Sequence, residues 1–306
     1  AGDKFNVGHY LQHLETAQQQ DPHSCDIFKL ADFDLAYSFG DRTRCFLKIQ
    51  DGCDYFCTYC TIPFARGRSR SATIPQIKTA IREVATKGIK EVILTGVNTG
   101  DFGRGGDGNF LELIKELDQM DEIGRYRISS VEPNLLTNEI IEFVARSRHF
   151  MPHFHIPLQS GSNEILKLMH RRYSRELFAE KIKKIKSLLP DAFIGVDIIV
   201  GMRGETETFF QDSRDFIAAL PISRLHVFPY SERQGTKALD IPLVVPQEDK
   251  YQRVSEMLQI SEQKLTQFYH QFTGQTRPAL FEDNKVGKYI CGFTDNYIKV
   301  QYPYDP

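Results

Sequence analysis

No apolar run in this sequence reaches the roughly eighteen residues that a membrane-spanning helix needs, so no membrane association is expected. No signal-peptide pattern opens the chain, which makes a reducing cytoplasm the expected setting. There is no excess of one charge: 38 Lys and Arg face 40 Asp and Glu, a net −2. The totals neither demand nor exclude nucleic acid, and local charge must decide. Cysteines are few. A structural zinc site usually adds a second C-x2-C pair, and Cys25, Cys45 and Cys291 are too scattered to form one. A zinc site completed by His23, His149, His153 or His155 stays open as an alternative. A disulfide framework suits small secreted domains, whereas 306 residues can bury a large core, as one large domain with a smaller one or as two. The content of 41% hydrophobic and 25% charged residues is that of a globular chain.

What is present is a concentrated cysteine loop, Cys53-Asp54-Tyr55-Phe56-Cys57-Thr58-Tyr59-Cys60, spaced C-x3-C-x2-C. Thiolates this close can converge on one metal centre. Iron–sulfur clusters usually take four. Three leave one iron of a four-iron cluster without a protein ligand, open to a small molecule. Residues 44–50 read as a strand, so the cysteines lie on the loop leaving its carboxyl end, where α/β barrels place their chemistry.

From residue 41 the text alternates strand and helix. Strands are expected at 44–50, 90–95, 125–131, 154–158, 193–200 and 224–230. Helices are expected at 75–87, 111–119, 138–147, 174–189 and 205–220. The alternation means βα units and a parallel sheet. The unbroken apolar stretch at 193–200 fits a strand buried on both faces. Six units suggest an α/β fold with a partial barrel; an open doubly wound sheet is the alternative that periodicity leaves. A long helix follows at 247–272, then short strand-like runs at 278–281, 289–292 and 297–301, the start of a small β-barrel. A helical pattern over 1–20 and a linker with an Asp21-Pro22 turn precede everything. Three parts are expected: 1–40, 41–273 and 274–306. The chain opens at Ala1 and stops at Asp305-Pro306, and both ends are read as cut.

Cys53, Cys57 and Cys60, with aromatic Tyr59 before the last, resemble the cluster motif of the radical S-adenosylmethionine (SAM) enzymes. The following Thr61-Ile62-Pro63-Phe64-Ala65-Arg66-Gly67-Arg68-Ser69-Arg70-Ser71 narrows the resemblance to the methylthiotransferases, over almost all of the chain from about Phe5. The resemblance implies a partial (β/α)6 barrel, a 4Fe-4S cluster on the three cysteines and SAM at its open iron. One electron would cleave SAM to a 5′-deoxyadenosyl radical, which would take hydrogen from the substrate. A methylated sulfur would come from a second cluster in an amino-terminal domain, with its methyl from a second SAM. Cys25 and Cys45 do not match that domain's pattern, so residues 1–40 are expected to be its tail and the chain alone is not expected to complete turnover. Residues 274–306 would be part of an RNA-binding TRAM domain. The implied partners are a tRNA anticodon stem-loop and an electron donor such as flavodoxin or ferredoxin.

The ends of the strands supply candidate SAM-binding residues, beside Tyr59. Gly96 and Asn98 lie in the glycine loop 94–103, otherwise a plain βα turn. Glu132 can accept from an amine or hydroxyl, and Gln159 can bond a ribose or base. Arg172, or second Arg171, can clamp a carboxylate. Asp197 inside an apolar strand must be paired or face the barrel mouth. Met202-Arg203 replaces the family's usual Phe-Pro pair. Ser162 and Asn163 are expected to cap a helix, and Lys181, Lys183, Lys184 and Lys186 to form a solvated face. Arg66, Arg68 and Arg70 are candidates for phosphate contact. Lys285, Lys288 and Lys299 among Phe281, Tyr289, Phe293 and Tyr297 suit single-stranded RNA, with about half of those aromatics expected in the core. No residue is assigned a catalytic role. The loop 96–103 looks most like that of bacterial enzymes converting N6-threonylcarbamoyladenosine beside the tRNA anticodon to its 2-methylthio form. Enzymes acting on isopentenyladenosine or on a ribosomal-protein aspartate are the alternatives, and an RNA-binding module with a structural metal is the non-enzymatic rival.

Overall fold

The computed structural model describes residues 26–30, 32–38, 43–106 and 108–304, and of 283–286 the backbone alone. The helical pattern at 1–20, the turn at 21–22, His23, Cys25 and the Lys285 side chain lie outside these. Six strands run parallel: β2 (Arg44–Lys48), β5 (Glu91–Thr95), β6 (Arg125–Ile128), β7 (His153–His155), β8 (Phe193–Val200) and β9 (Arg224–Pro229). A short β1 (Ala36–Tyr37) pairs antiparallel with the outer edge of β2. Between β6 and β7 the ladder thins to single bridges, Tyr126 with Phe150 and Ser130 with His155, which join the two halves into one curved partial barrel. Strand β7 is shorter than its apolar text because Pro157 has no N–H for a ladder and Gln159 turns to φ 68°.

The crossover helices are α2 (Ile74–Thr86), α3 (Phe110–Asp118), α4 (Asn138–Arg146), α6 (Arg175–Leu188) and α7 (Glu207–Ala219), within three residues of the expected bounds. Local chemistry fixes their starts. Thr73 with Gln76, and Asn109 with Glu112, form reciprocal capping boxes; Thr137, Ser174 and Thr206 each accept from a first-turn N–H. Two short helices escaped the periodicity, α1 (Ile62–Arg66) directly after the cysteine loop and α5 (Asn163–Leu168) after β7. Each helix buries one apolar stripe. Ile77, Ile81 and Val84 of α2 lie in the main core with Leu47, Val92 and Leu94. Trimming one such side chain to alanine costs about 2–5 kcal/mol.

The long α8 (Gln247–His270) covers β9. Ser261 Oγ both accepts from Leu225 N and donates to Leu225 O, each at 3.0 Å, satisfying a strand edge that no other strand pairs. Beyond it, β10 (Ala279–Val286), β11 (Tyr289–Thr294) and β12 (Lys299–Pro303) form an antiparallel sheet. This sheet caps the barrel end opposite the cysteine loop. Arg127, 1% exposed, donates to the carbonyls of Thr294 and Asp295 at 2.9 Å each, and its Nε stands 3.1 Å from buried Glu91. Arg44 pairs with Glu282, and Tyr297 packs on His153 with ring centroids 4.5 Å apart. Among the described residues, no helix is long and apolar enough to cross a membrane.

Candidate active site

The cysteine loop follows a two-stranded ribbon, β3 (Gln50–Asp51) with β4 (Arg70–Ser71), at the carboxyl end of β2. Its path is set by close backbone contacts. Gly52 has φ 72°, and a Cβ there would meet Arg68 O at 2.0 Å. Phe56 also sits in the left-handed region, at φ 50°, a cost that clusters at functional loops. Cys53 N donates to Gly67 O at 3.1 Å, and Thr58 Oγ1 to Leu168 O at 2.8 Å. Two sulfurs accept backbone N–H groups: Cys53 from Tyr55 and Cys60 from Ile62, both at 3.4 Å. Cys57 Sγ accepts from Arg171 Nη1 at 3.0 Å.

Burial pushes the Cys53 thiol up to about 12, and the Cys57 thiol upward against the pull of Arg171. Deprotonating these thiols therefore needs local positive charge, which a metal centre brings. Sulfurs sharing one zinc, at about 2.3 Å from it, stand within 4 Å or so of one another. The three cysteine sulfurs are not all within 4.8 Å of one another; among the described residues, the group that is so gathered is His155, Asp197 and His226. One buried and two half-buried sulfurs, each accepting an N–H and spread more widely than one zinc would hold them, fit a polynuclear iron–sulfur centre.

Arg171 links this loop to the next strand ends. Its guanidinium pairs with Glu132, lies 3.4 Å from Tyr59 OH and donates to Tyr173 OH at 3.0 Å. Tyr173 OH lies 2.7 Å from Pro157 O and 3.0 Å from Leu158 O. Burial pushes the Glu132 carboxyl upward, opposed by Arg171. Arg172 faces the other way: exposed, it donates to Asp54 O at 2.6 Å and lies 4.2 Å over the Tyr55 ring.

Gln50 joins the cysteine loop to the glycine loop. Its Nε2 donates to Gly52 O at 2.8 Å, and its Oε1 accepts from Val97 N and Asn98 N at 2.9 Å each. A Cβ on Gly96 would stand 2.8 Å from that same oxygen. Asn98 is 2% exposed, yet both its amide oxygen and nitrogen lack a protein partner. Buried polar atoms are nearly always bonded, so this amide calls for a polar partner that the protein itself does not supply.

Tyr59, Cys60, Gln159, Asp197, Ile199, Phe228 and Tyr230 line a cavity of about 390 Å³ beside the cysteines. Gln159 is fixed by main-chain bonds: its N donates to Asp197 O and its O accepts from Ile199 N, both at 2.8 Å. Burial acts to raise the Asp197 carboxyl, but His155 and His226 overcome it and hold the group well below the usual carboxylate range. The structure gathers Tyr59, Gly96, Asn98, Glu132, Gln159 and Asp197, all expected from the sequence, at this one end of the barrel; Arg172, the first choice for the carboxylate clamp, lies on its outer side, and the second choice, Arg171, is the one turned inward. The sequence pattern did not single out Gln50 or His226, and named His155 only as a zinc ligand. The period-2 spacing of His226 and Phe228 on β9 was the available signal.

The basic run after the cysteines divides. Arg66 and Arg68 are about half exposed beside Asp51 and Asp54, and Arg68 lies 5.0 Å over the Phe56 ring. Arg70 is largely buried, donating to the carbonyls of Asp32, Arg66 and Arg68. In the small sheet, Phe293 and Tyr297 stack on each other and pack under Arg44 and Arg127, while Tyr289 is exposed. Ser162 stands at the N-cap of α5 without a side-chain capping bond; Asn163 instead accepts from Arg175 N at 2.9 Å. Lys181 is buried against Asn138, and Lys184 pairs with Glu142.

The profile of the radical SAM superfamily matches residues 47–217. The chain is 40% identical over 271 residues to a threonylcarbamoyladenosine tRNA methylthiotransferase MtaB of Bacillus subtilis (strain 168), covering 87% of this chain and 60% of that protein. It is 36% identical over 274 residues to the MtaB of Aquifex aeolicus (strain VF5), covering 89% and 65%. A tRNA-2-methylthio-N(6)-dimethylallyladenosine synthase of Carboxydothermus hydrogenoformans is 37% identical over 219 residues, covering 71% and 50%. The chain thus spans less than two thirds of these relatives. Among solved structures, the radical SAM methyltransferase TsrM of Kitasatospora setae shares the fold at TM-score 0.52 and 16% identity, over 60% of this chain and 36% of that one. Coproporphyrinogen III oxidase HemN of Escherichia coli does so at 0.50 and 16%, over 73% and 52%.

Proposed function

This chain belongs to the radical SAM superfamily, and from that membership we propose that it is the core of a tRNA methylthiotransferase acting on N6-threonylcarbamoyladenosine. The observation that carries the reading is the three-cysteine loop, whose Cys60 lines the same cavity as Gln159 and Asp197. The similarity to enzymes named for that nucleoside, along most of the chain, supports the choice of substrate.

Cys53, Cys57 and Cys60 would hold a 4Fe-4S cluster. Together with SAM, that cluster supplies reductive sulfonium cleavage and so the oxidising radical that opens a C–H bond. The chain's own residues bind and orient. The Asn98 amide and the backbone of the Gly96 loop offer polar contacts for an amino acid moiety, at a junction that Gln50 holds still. Arg171 keeps positive charge against the Cys57 sulfur and neutralises Glu132, so neither is left as a lone buried charge. Gln159 and Asp197 present polar groups opposite the apolar Ile199 and Phe228, a wall suited to a nucleoside. Exposed Arg66 and Arg68 beside this mouth, and Tyr289 with Lys288 on the small sheet, are suited to an RNA loop. A TRAM role for the small sheet, a tRNA anticodon stem-loop as partner and a flavodoxin- or ferredoxin-type electron donor belong to the same proposal. A complete enzyme of this kind needs a second cluster, for which the described residues offer no further group of cysteines.

The test is nucleoside analysis of tRNA from a strain lacking the gene. The 2-methylthio derivative of N6-threonylcarbamoyladenosine should disappear and its precursor accumulate. Unchanged nucleosides would sink the reading. Loss of the dimethylallyl derivative instead would favour the second relationship.

A further inference from the structure

Below Asp197 the barrel interior opens again, into a chamber of about 360 Å³ bordered underneath by the small sheet. The register of three neighbouring strands builds it. Asp197 lies opposite His226, and Gly195 lies between His155 and Arg224. These residues share the inner face, because strand side chains alternate. His155 Nε2 lies 2.7 Å and His226 Nδ1 3.0 Å from the same oxygen, Asp197 Oδ1. A carboxylate only accepts, so each ring gives its N–H to Asp197. In the neutral ring, His155 Nδ1 and His226 Nε2 are then left as acceptors.

Cations complete the chamber. Arg224 and Lys299 line it, and among the described residues neither has an acidic partner. No aspartate or glutamate is among the lining residues, while Phe293 and Tyr297 supply its floor. The chamber therefore combines unpaired positive charge, two imidazole acceptors and aromatic faces. A branched hydrocarbon placed here would bury those groups without partners, at a cost that apolar contact does not offset.

We propose that this chamber receives the carboxylate-bearing substituent on N6 of the target adenine, and so selects threonylcarbamoyl over dimethylallyl. The adenine ring stays in the upper cavity beside Cys60 and Gln159. The substituent passes Asp197, its ureido N–H and hydroxyl groups donate to the two imidazoles, and its carboxylate meets Arg224 and Lys299. Asp197 is here a positioning residue, fixing which nitrogens accept. This inference rests on the methylthiotransferase reading above.

The test compares anticodon stem-loop RNAs carrying N6-threonylcarbamoyladenosine, N6-dimethylallyladenosine or plain adenosine, with binding read by fluorescence anisotropy. The protein should bind the first more tightly than the other two by about ten- to a hundredfold, as expected for one or two charge-assisted contacts. In the double variant R224Q/K299Q the ratio should fall to about one. Both residues are exposed, and circular dichroism checks the fold. In D197N, 15N chemical shifts of the two imidazoles should report redistributed tautomers and the preference for threonylcarbamoyl should weaken with them, whereas an aspartate that only supports the fold would leave the preference unchanged. No preference among the three RNAs, or a preference that survives R224Q/K299Q, overturns the proposal. A preserved preference for threonylcarbamoyl, with unchanged tRNA nucleosides in the deletion strain, would overturn the enzymatic reading and leave the chamber's selectivity standing.

Discussion

The side chain of Gln50 receives the backbone N–H of Asn98 at 2.9 Å, across 48 residues of sequence, and thereby locks the cysteine loop to the neighbouring glycine loop. The same amide serves Val97, Gly52, Asp51 and Ser69.

Gln50→Ala should therefore strand several buried polar groups at once. The expected loss is about 1–3 kcal/mol for each group left unsatisfied, read by urea unfolding. Gly96→Ala should act on the same junction through its Cβ, which would press on Gln50 Oε1 at 2.8 Å. A cost of about 1–3 kcal/mol is expected from that overpacking. Stability within a few tenths of a kcal/mol of wild type in both variants would contradict the junction.

Arg171→Met should be worse than Arg172→Met. The first leaves Glu132 buried without its cation, at a cost of about 3–5 kcal/mol, and strips Cys57 of its donor. The second removes a stacked, exposed guanidinium. Iron content after anaerobic reconstitution and gel filtration should fall in the Arg171 variant well below that of the Arg172 variant. Arg171→Met combined with Glu132→Gln should recover part of the stability but not the iron.

The metal-free protein should lose stability in alkali. Folding lifts Cys53 from an ordinary 9.0 to about 12, chiefly through burial. A raised folded-state value favours the protonated thiol, so this contribution is intact below about pH 9 and disappears as pH climbs toward 12. Cys53→Ala should flatten the decline between pH 9 and 11 in urea titrations. Iron loading has the opposite slope, because it must displace those protons: uptake should rise from pH 7 to 9, with acid released. Loading independent of pH would contradict thiol protonation as its barrier.

RNA affinity should respond to Arg66 and Arg68 but hardly to the charge of Arg70. Replacing either exposed arginine by glutamine should lower the slope of log K against log salt by about one. Arg70→Gln should reduce thermal stability instead, since its guanidinium bonds three carbonyls. Equal salt slopes in all three variants would remove the phosphate role of this edge.

Much of this architecture could be read in advance, because it rests on local rules. The βα alternation and the C-x3-C-x2-C spacing are such short-range signals. The caps Thr73, Asn109 and Thr206 are equally local, yet capping was expected only of Ser162 and Asn163, and Ser162 makes no side-chain capping bond. The rest depends on distant partners. Nothing in Gln50 itself tells that its amide will meet Asn98. Arg171 and Arg172 are adjacent, and which one turns inward is set by the preceding turn, where His170 holds φ 56°. The carboxylate and imidazoles of Asp197, His155 and His226 come from three strands spread over 71 positions, and only the register of β7, β8 and β9 unites them.

The bond between Arg127 and the two carbonyls of the carboxyl-terminal sheet has a further consequence. It makes the barrel a cul-de-sac. In the enzyme proposed here, whatever goes in past the sulfurs would back out by the same door, so spent nucleotide and finished RNA would leave in sequence rather than through separate exits. Loosening that stopper, as in Arg127→Ala, would give water a second way in.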